Sequence, residues 1–339
     1  MAKRGKWMKN LDVRDLDPSE YKLWDNLVEE SLHGTIFHTT DWLKLSGDSN
    51  CSYHQHLYGC FKEGELIGGC SFLSKRFRLF NVGSTAFNIT PYGGFVIKDL
   101  YDQNKTHEME SFQTSVIQSI LAYMGSKKID GVFIANPPEF VDVRPFTHED
   151  WTANVKYTYY FDLTKNIEDT ISKTVKNNIK KALRNGVQIY NECSAQVFYD
   201  LWKDTYNKHG LKPPVPFRFI EHVLDTLHNT GKADMWVARM PSGEAASAEI
   251  VVWDSKRAYL WVAASNRAFK SSAASTLLTY NILKELKDRN FKELNMMTAN
   301  VPHLASYMSA FNPKLAPYYV LSKNNTKYGF YRSICKIFD

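Results

Sequence analysis

The chain has 339 residues, which is enough for two domains of ordinary size. Hydrophobic residues make up 44% of the sequence and aromatic residues 14%, so a sizeable core forms and wholesale disorder is excluded. The formal net charge of +6 is compatible with an anionic partner such as a nucleotide, a phosphate or an RNA end, but does not require one.

The chain has five cysteines, an odd number, and none of them form a Cys-x-x-Cys pair. The sequence therefore predicts no disulfide framework and favours a reducing compartment. No apolar run approaches the roughly 20 residues that a membrane helix needs, and no apolar segment follows the basic N-terminus. We therefore expect a cytoplasmic protein without a transmembrane segment.

In the first half of the chain, the apolar spacing from Pro18 to Ser31 predicts a helix. Alternating apolar residues on both sides of Glu63 and Gly64 predict a hairpin. Strands continue over residues 77–97, a helix is predicted over 107–126, and GVFIAN reads as a short buried strand.

The second half begins with the strand KYTYYFDLT and a helix over Ile167–Arg184, which Asn185 and Gly186 end as a C-cap. Two further helices precede three strands joined by hairpin turns. A small polar loop, a long helix, a strand, a helix near 305–310 and a last strand, APYYVLS, complete the order. This order predicts an α/β (α+β) architecture of packed layers.

Several segments in this order resemble the Fem family, the aminoacyltransferases that build peptidoglycan interpeptide bridges, and the related GNAT-like acyltransferases. The segments are FHTTDWLKL, PYGGFVIKD, YYFDLTKNIEDTISKTVKNNIKKALRNGVQI, YLWVAASNRAFKSSAASTLLTYNIL and FKELNMM. The resemblance implies two tandem GNAT-like domains with mixed, mostly antiparallel sheets that form one cleft. We place the domains at residues 1–152 and 153–339, with the donor-site loop in the second.

The polar loop before the long helix is the predicted donor site. Backbone N–H groups at a helix start bind phosphate groups, and small side chains allow a phosphate to come close. The donor-binding candidates are Asn266, Arg267, Lys270, Ser271 and Ser272. The loop lacks the glycines of the usual GNAT pattern, and the alternative is that its serines only cap the helix.

Two residues are candidates for the chemistry of acyl transfer, which requires an amine freed of its proton. Glu249 alternates with Ser247, Val251 and Trp253 on a predicted strand, and partial desolvation there raises the pKa of a carboxylate toward that of a general base. Tyr307 aligns with an aromatic residue near the Fem reaction centre and is a candidate general acid. The alternatives are a solvent-facing Glu249 and a Tyr307 that only packs in the core.

Four residues are candidates for binding the substrate. Lys176 and Lys180 are four residues apart, so they share a helix face, and the resemblance places this helix at the nucleotide diphosphate of the acceptor. Lys44 and Asp99 match acceptor-site segments of the family. The alternative for all four is an ordinary solvated surface.

The Fem resemblance implies amide-bond formation on a peptidoglycan-precursor or peptide amine, an anionic nucleotide-linked or peptidyl substrate and an aminoacyl-tRNA donor. Two departures weaken the tRNA version: Met308 replaces a family lysine, and Asn295 stands where a carboxylate is expected. The alternatives are an acyl-CoA-dependent GNAT enzyme and a non-catalytic ligand-binding module. We predict no tightly bound cofactor and no metal site, because His54 and His56 lack further ligands at a standard spacing.

Overall fold

The computed structural model describes residues 11–48, 53–100, 105–207 and 210–335. The chain divides into two compact units, residues 1–155 with 318–339 and residues 156–317. The predicted boundary at 152/153 lies three residues from the observed one. The assignment of residues 318–339 to the second domain is corrected, because Val320–Asn324 pair antiparallel with the Gly131–Ala135 strand of unit 1.

Unit 1 contains a mixed sheet and helices on its strands. The strands are β1 (Leu11–Asp15), β2 (Tyr53–Lys62), β3 (Glu65–Phe77), β4 (Phe80–Ser84), β5 (Gly94–Ile97), β6 (Gly131–Ala135) and the end of β13 (Lys314–Asn324). The helices are α1 (Tyr21–Glu30), α2 (Thr40–Asp48), α3 (Thr106–Gly125), α4 (Arg144–Thr147) and α11 (Thr326–Cys335). Short 3-10 helices cover Pro18–Glu20, Ile36–His38 and Phe87–Ile89.

The sheet of unit 1 has the order β1-β2-β3-β4-β6-β13, with β5 paired to β3. All its pairs are antiparallel except β4 with β6. The α3 residues Val116 and Ile120 are four apart, share one helix face and are fully buried against β2, β3 and β5. The predicted turn at Glu63–Gly64 has positive φ at both residues, as a tight hairpin of this kind requires.

Unit 2 is likewise built around strands of a mixed sheet. Its strands are the main part of β7 (Thr152–Asp162), β8 (Gln188–Asn191), β9 (Ala233–Arg239), β10 (Ala245–Trp253), β11 (Ala258–Ser265) and β12 (Glu293–Asn295). Its helices are α5 (Ile167–Thr170), α6 (Lys173–Arg184), α7 (Ala195–Asn207), α8 (Phe217–Asn229), α9 (Ala274–Asp288) and α10 (Pro302–Ser309). A 3-10 helix, Arg267–Ser272, joins β11 to α9.

The sheet of unit 2 has the order β7-β12-β11-β10-β9-β8. Only the β11–β12 pair is parallel, as expected for strands joined by the crossover helix α9. Helices α6 and α9 pack together and share one core cluster with the strands, to which Val175, Ile179, Leu278 and Ile282 contribute. Helices α7 and α8 pack on β9, β10 and β11 with a separate set of buried side chains.

Two predicted elements differ from the structure. The single helix expected over residues 167–184 is two helices, because Ile171 and Ser172 are extended and the Ser172 hydroxyl accepts a hydrogen bond from Val175 N to begin α6. Helix α11 was not predicted. The C-cap at Gly186 is observed with φ +70°, and a Cβ there would lie 2.7 Å from Pro241. None of the described helices is both long enough and apolar enough to span a membrane.

Candidate active site

A buried carboxylate lies in the middle of the unit 2 sheet. Glu249 of β10 is paired with Trp236 of β9 and Ala263 of β11, and only 2% of its surface is exposed. Its Oε1 accepts a hydrogen bond of 2.8 Å from Thr279 Oγ1, whereas its buried Oε2 has no hydrogen-bond partner among the described residues. Burial raises the pKa of Glu249 to about 8, and the hydrogen bond from Thr279 opposes this shift.

The hydrogen-bonded chain continues from Thr279 to a tyrosine of α10. Thr279 Oγ1 lies 3.1 Å from the hydroxyl of Tyr307, which also bonds to Thr276. Because the single proton of Thr279 is directed to Glu249, the Tyr307 hydroxyl donates to Thr279. Part of the Tyr307 side chain is exposed, whereas Thr279 and Glu249 are buried, so Tyr307 is the member of the chain nearest to solvent. Burial and the nearby Glu249 raise the pKa of Tyr307.

The spacing of polar residues explains why α9 and β10 meet in this way. Ser247 and Glu249 are two residues apart and therefore lie on the same face of β10. Ser275 and Thr279 are four apart and therefore lie on the same face of α9. Two side-chain hydrogen bonds therefore join α9 to β10: Ser275 Oγ donates to Ser247 Oγ at 3.0 Å, and Thr279 donates to Glu249.

The sequence reasoning identified Glu249 and Tyr307 but missed the residue that connects them. Thr276 and Thr279 are buried in a helix whose other buried residues are mainly Leu, Ile and Ala. The feature of the sequence that indicates this contact is the recurrence of hydroxyl side chains on the buried side of an otherwise apolar helix. The alternative of a solvent-facing Glu249 is wrong, because α9 covers that face of β10.

The predicted donor loop begins as a short 3-10 helix and ends at α9. Asn266 Oδ1 accepts from Ala268 N at 3.0 Å and so caps the 3-10 helix. Ser272 is buried; its hydroxyl donates to Phe269 O and accepts from Ala274 N at 3.2 Å. The Ser272 side chain and the side-chain carbonyl oxygen of Asn266 therefore hydrogen-bond within the loop, and the predicted donor-binding roles of both residues stay predictions. Arg267, Lys270 and Ser271 are exposed.

The loop follows a strand edge that is paired over only part of its length. The parallel partner β12 aligns with the first two residues of β11, Ala258 and Tyr259, and ends at Asn295. Beyond that point Met297 and Thr298 have positive φ, and the chain turns away from the strand direction. Within the described residues, the rest of β11 therefore has no neighbouring strand on this side, although β10 pairs with it on the other. Such an edge can hydrogen-bond to an extended ligand.

Helix α6 presents cations to solvent next to this loop. Its apolar side is buried, and Lys180 is exposed whereas Lys176 is half-buried. Lys180, Lys181 and Arg184 line a surface depression of about 690 Å³. The end of α6 contacts the donor loop directly, since Asn185 Nδ2 donates to Ser272 O at 3.3 Å. Lys180 and the two exposed cations of the loop thus belong to neighbouring elements of one unit.

The two candidates in unit 1 have local contacts. Lys44 is exposed on α2, and its ammonium lies 5.6 Å from the ring centroid of Tyr21. Asp99 Oδ2 accepts a hydrogen bond of 2.9 Å from Leu32 N. The predicted substrate roles of both residues stay predictions. Within the described part of the chain, no three His, Cys, Asp or Glu side chains form a group that could hold a metal ion.

The two departures from the Fem pattern are both buried. Met308 is 4% exposed and packs in the core of unit 2. Asn295 is fully buried; its Oδ1 accepts from Thr158 Oγ1 at 2.6 Å and from Met297 N at 3.0 Å. These residues therefore serve the packing and the end of β12 rather than supplying a charge.

The sequence of unit 2 matches a known domain family. Residues 171–317 match the sequence model of the acetyltransferase (GNAT) domain, a range that includes Glu249, Thr279, Tyr307 and the donor loop. No curated protein matches the sequence.

Solved structures share the fold of nearly the whole chain. FemX superposes with a TM-score of 0.65 at 11% identity, covering 91% of this chain and 96% of that one. L-PGS from Bacillus licheniformis gives 0.56 at 14% identity, with 92% and 93% covered. A tandem GNAT protein from the clavulanic acid biosynthesis pathway gives 0.55 at 10% identity, with 93% and 98% covered. The predicted tandem GNAT-like fold, with its Fem-like resemblance, is confirmed.

Proposed function

Since residues 171–317 form a GNAT-type acetyltransferase domain in a chain with the fold of FemX and of tandem GNAT proteins, we propose that the protein is an N-acyltransferase. It joins the acyl group of an activated donor to an amine. The observation that carries this proposal is the hydrogen-bonded chain from Tyr307, whose side chain is partly exposed, through Thr279 to the sealed carboxylate of Glu249.

The direction of the hydrogen bonds supplies a path for the proton that the amine must lose. The amine nitrogen attacks the acyl carbon, the new N–C bond forms, and the bond to the leaving group breaks. The amine proton passes to the Tyr307 oxygen, the Tyr307 proton to Thr279, and the Thr279 proton to Glu249. Tyr307 and Thr279 end unchanged, and Glu249 ends protonated. A carboxyl with a pKa of about 8 is a stronger base than an ordinary glutamate.

An acyl-CoA thioester is the donor that the geometry of unit 2 supports best. The unpaired edge of β11 offers backbone groups to an extended amide-containing chain. Arg267 and Lys270 are exposed beside the start of α9, so their charged side chains suit the phosphates of CoA.

Fem-type aminoacyl transfer from tRNA to a peptidoglycan-precursor or peptide amine is the second candidate. Its support is the likeness to FemX over 91% of this chain, together with the exposed cations of α6 for an anionic nucleotide-linked substrate. The acceptor would then contact Lys176 and Lys180 of unit 2, and the substrate roles of Lys44 and Asp99 stay separate predictions for unit 1. It ranks second because buried Met308 supplies no cation at the position where the resemblance expects a lysine.

A thermal-shift panel with CoA, acetyl-CoA, uncharged tRNA and a UDP-linked muramyl peptide tests the proposal. A ligand at about 100 times its Kd stabilises the folded state by about 2.7 kcal/mol. We expect a shift with the CoA compounds, reduced in the Arg267→Gln/Lys270→Gln variant and kept in the exposed-site control Lys212→Gln.

Each outcome of the panel assigns a function. A shift with tRNA or the muramyl peptide, but not with CoA, moves the assignment to Fem-type transfer. Binding of any of these ligands without acyl transfer to a panel of amines identifies a non-catalytic binding module and overturns the enzyme proposal.

A further inference from the structure

A two-residue hairpin turn projects apolar side chains from unit 1. Phe77 and Phe80 are the last paired residues of β3 and β4, so Arg78 and Leu79 form the turn. Arg78 has φ +54°, which suits a tight hairpin. Leu79 is 83% exposed and Phe77 is 51% exposed. An exposed leucine at a protruding tip gains nothing from the fold of its own unit.

Helix α11 lies against this hairpin and adds a third exposed apolar side chain. The ring of Phe80 packs on Tyr328 and on Tyr331, each with centroids 5.2 Å apart. Tyr328 is buried, and a residue two positions further along a helix points about 200° away. Phe330 accordingly faces solvent and is 69% exposed.

The hairpin and helix α11 that carry these apolar side chains also carry cations. Arg78 lies 5.7 Å from the ring centroid of Tyr331, Arg332 lies 4.7 Å from that of Phe133, and Lys75 lies 4.9 Å from that of Tyr53. Residues 74–81 and 326–335 contain no aspartate or glutamate. We name the hairpin surface the set of Lys75, Arg76, Phe77, Arg78, Leu79, Lys327, Phe330 and Arg332.

The side chain of Asp130 hydrogen-bonds to both the hairpin and the segment before α11, but to no cation that the structure describes. Asp130 accepts from Asn81 N at 2.7 Å and from Asn325 Nδ2 at 2.7 Å. Within the described residues, no salt bridge joins an acidic side chain to a cation of the hairpin surface. The surface therefore carries five positive charges without acidic partners.

We propose that the hairpin surface docks the protein peripherally on a bilayer that contains anionic phospholipid. The exposed apolar side chains would contact the acyl chains of such a bilayer, and the Lys and Arg side chains its anionic headgroups. The apolar side chains protrude from a turn and a helix face, which suits insertion into a fluid interface. This docking is independent of the acyl-transfer chemistry, because every residue of the surface lies in unit 1.

Co-sedimentation of the full chain with vesicles tests the proposal. We expect binding to vesicles with about one third phosphatidylglycerol, little binding to phosphatidylcholine alone, and weakening by salt. Leu79→Ser/Phe330→Ser should weaken binding by at least about tenfold, since two apolar side chains lose their burial. Arg76→Gln should weaken it about fivefold. These side chains are exposed, so the variants fold.

Matched controls change equally exposed residues of unit 2. Leu211→Ser and Arg184→Gln should bind vesicles as the wild type does. Leu79→Trp gives a second readout: on addition of vesicles its emission should shift to shorter wavelength by more than that of the wild type, whose eight tryptophans set the baseline.

Three results would overturn the proposal. One is equal binding to neutral and anionic vesicles. Another is wild-type affinity in the Leu79→Ser/Phe330→Ser variant. The third is no vesicle binding together with concentration-dependent self-association that this variant abolishes, which would identify the surface as an interface between copies of the chain.

Discussion

The two units each bury a network of polar side chains, and the networks differ in how completely they are satisfied. In unit 1, both ring nitrogens of His56 have partners: Nε2 lies 2.8 Å from Ser74 Oγ and Nδ1 lies 3.0 Å from the Tyr58 hydroxyl. In unit 2, the carboxylate of Glu249 has one bonded oxygen and one buried oxygen without a described partner.

Under the proposed function, this difference separates a network that holds the fold from one that transfers a proton. Burial lowers the pKa of His56 to about 4, so the ring is neutral at neutral pH and its hydrogen bonds carry no buried charge. Burial raises the pKa of Glu249 to about 8, so its proton is easily exchanged near neutrality. A partly satisfied buried group costs stability, and such sites are common where chemistry occurs.

Removing the carboxylate of Glu249 should have the largest effect on activity. We expect Glu249→Gln to lower kcat/KM about 10²–10⁴-fold, because the relay loses its proton acceptor while the shape of the side chain is kept. Acyl transfer to the best amine measures the effect. Glu168→Gln, which changes a carboxylate bonded to Tyr280 instead, is the control and should retain activity. Comparable losses in both variants would contradict the assignment.

The same substitution should increase stability at alkaline pH. The folded pKa of Glu249 is raised above its unfolded value, so the native state holds more protons and stability falls as pH rises from about 4.5 to about 8. The loss is on the order of 5 kcal/mol when complete. Urea denaturation of wild type and Glu249→Gln at pH 5 and pH 9 checks this. Parallel pH dependence in the two proteins would show that Glu249 ionises freely in the folded state.

Replacing the tyrosine at the accessible end should break the same path. We expect Tyr307→Phe to lower kcat about 10²-fold, because one link of the relay is lost. The double variant with Glu249→Gln should be little worse than Glu249→Gln alone, since residues that act as a unit are not additive. Tyr280→Phe on α9 is the matched control. Multiplicative losses in the double variant would mean that the two residues act separately.

Replacing Thr279, the middle residue of the chain, should change the pH dependence of kcat/KM more than its maximum value. Thr279→Val removes the hydrogen bond that lowers the pKa of Glu249, so the rise of kcat/KM with pH should move to higher pH. At pH 7 we expect about tenfold lower activity, from the higher pKa and the broken relay. Thr279→Ser keeps the hydroxyl and should keep the profile. An unshifted profile in the valine variant would remove Thr279 from the path.

The sequence singled out the two ends of the hydrogen-bonded chain in unit 2, Glu249 and Tyr307, but not its middle residue, Thr279. Glu249 and Tyr307 stood out because a carboxylate in an apolar strand and an aligned aromatic are unusual. Thr279 did not, because a hydroxyl in a helix is ordinary until the strand that it faces is known. The return of residues 318–339 to unit 1 escaped prediction for a similar reason: the β13–β6 pairing joins segments almost 200 residues apart, and no local pattern records it.

The smallest expected effect is on the free energy of unfolding in mild acid, to which His56 of unit 1 and Glu249 of unit 2 contribute in opposite directions. The folded pKa of His56 is lowered, so its contribution to stability is complete above about pH 6.5 and is lost as pH falls toward about 4. At pH 5.5 the loss of stability is about 1 kcal/mol relative to pH 7, whereas the same acidification protonates the buried carboxylate of Glu249 and so stabilises unit 2.

The urea midpoint measured in the Glu249→Gln background isolates the His56 contribution, and adding His56→Gln should remove it. His148→Gln, at an exposed site, should leave it intact. A midpoint in that background that does not fall on acidification would show that His56 is protonated in the folded state near its ordinary pKa, and that the network of unit 1 tolerates a charge.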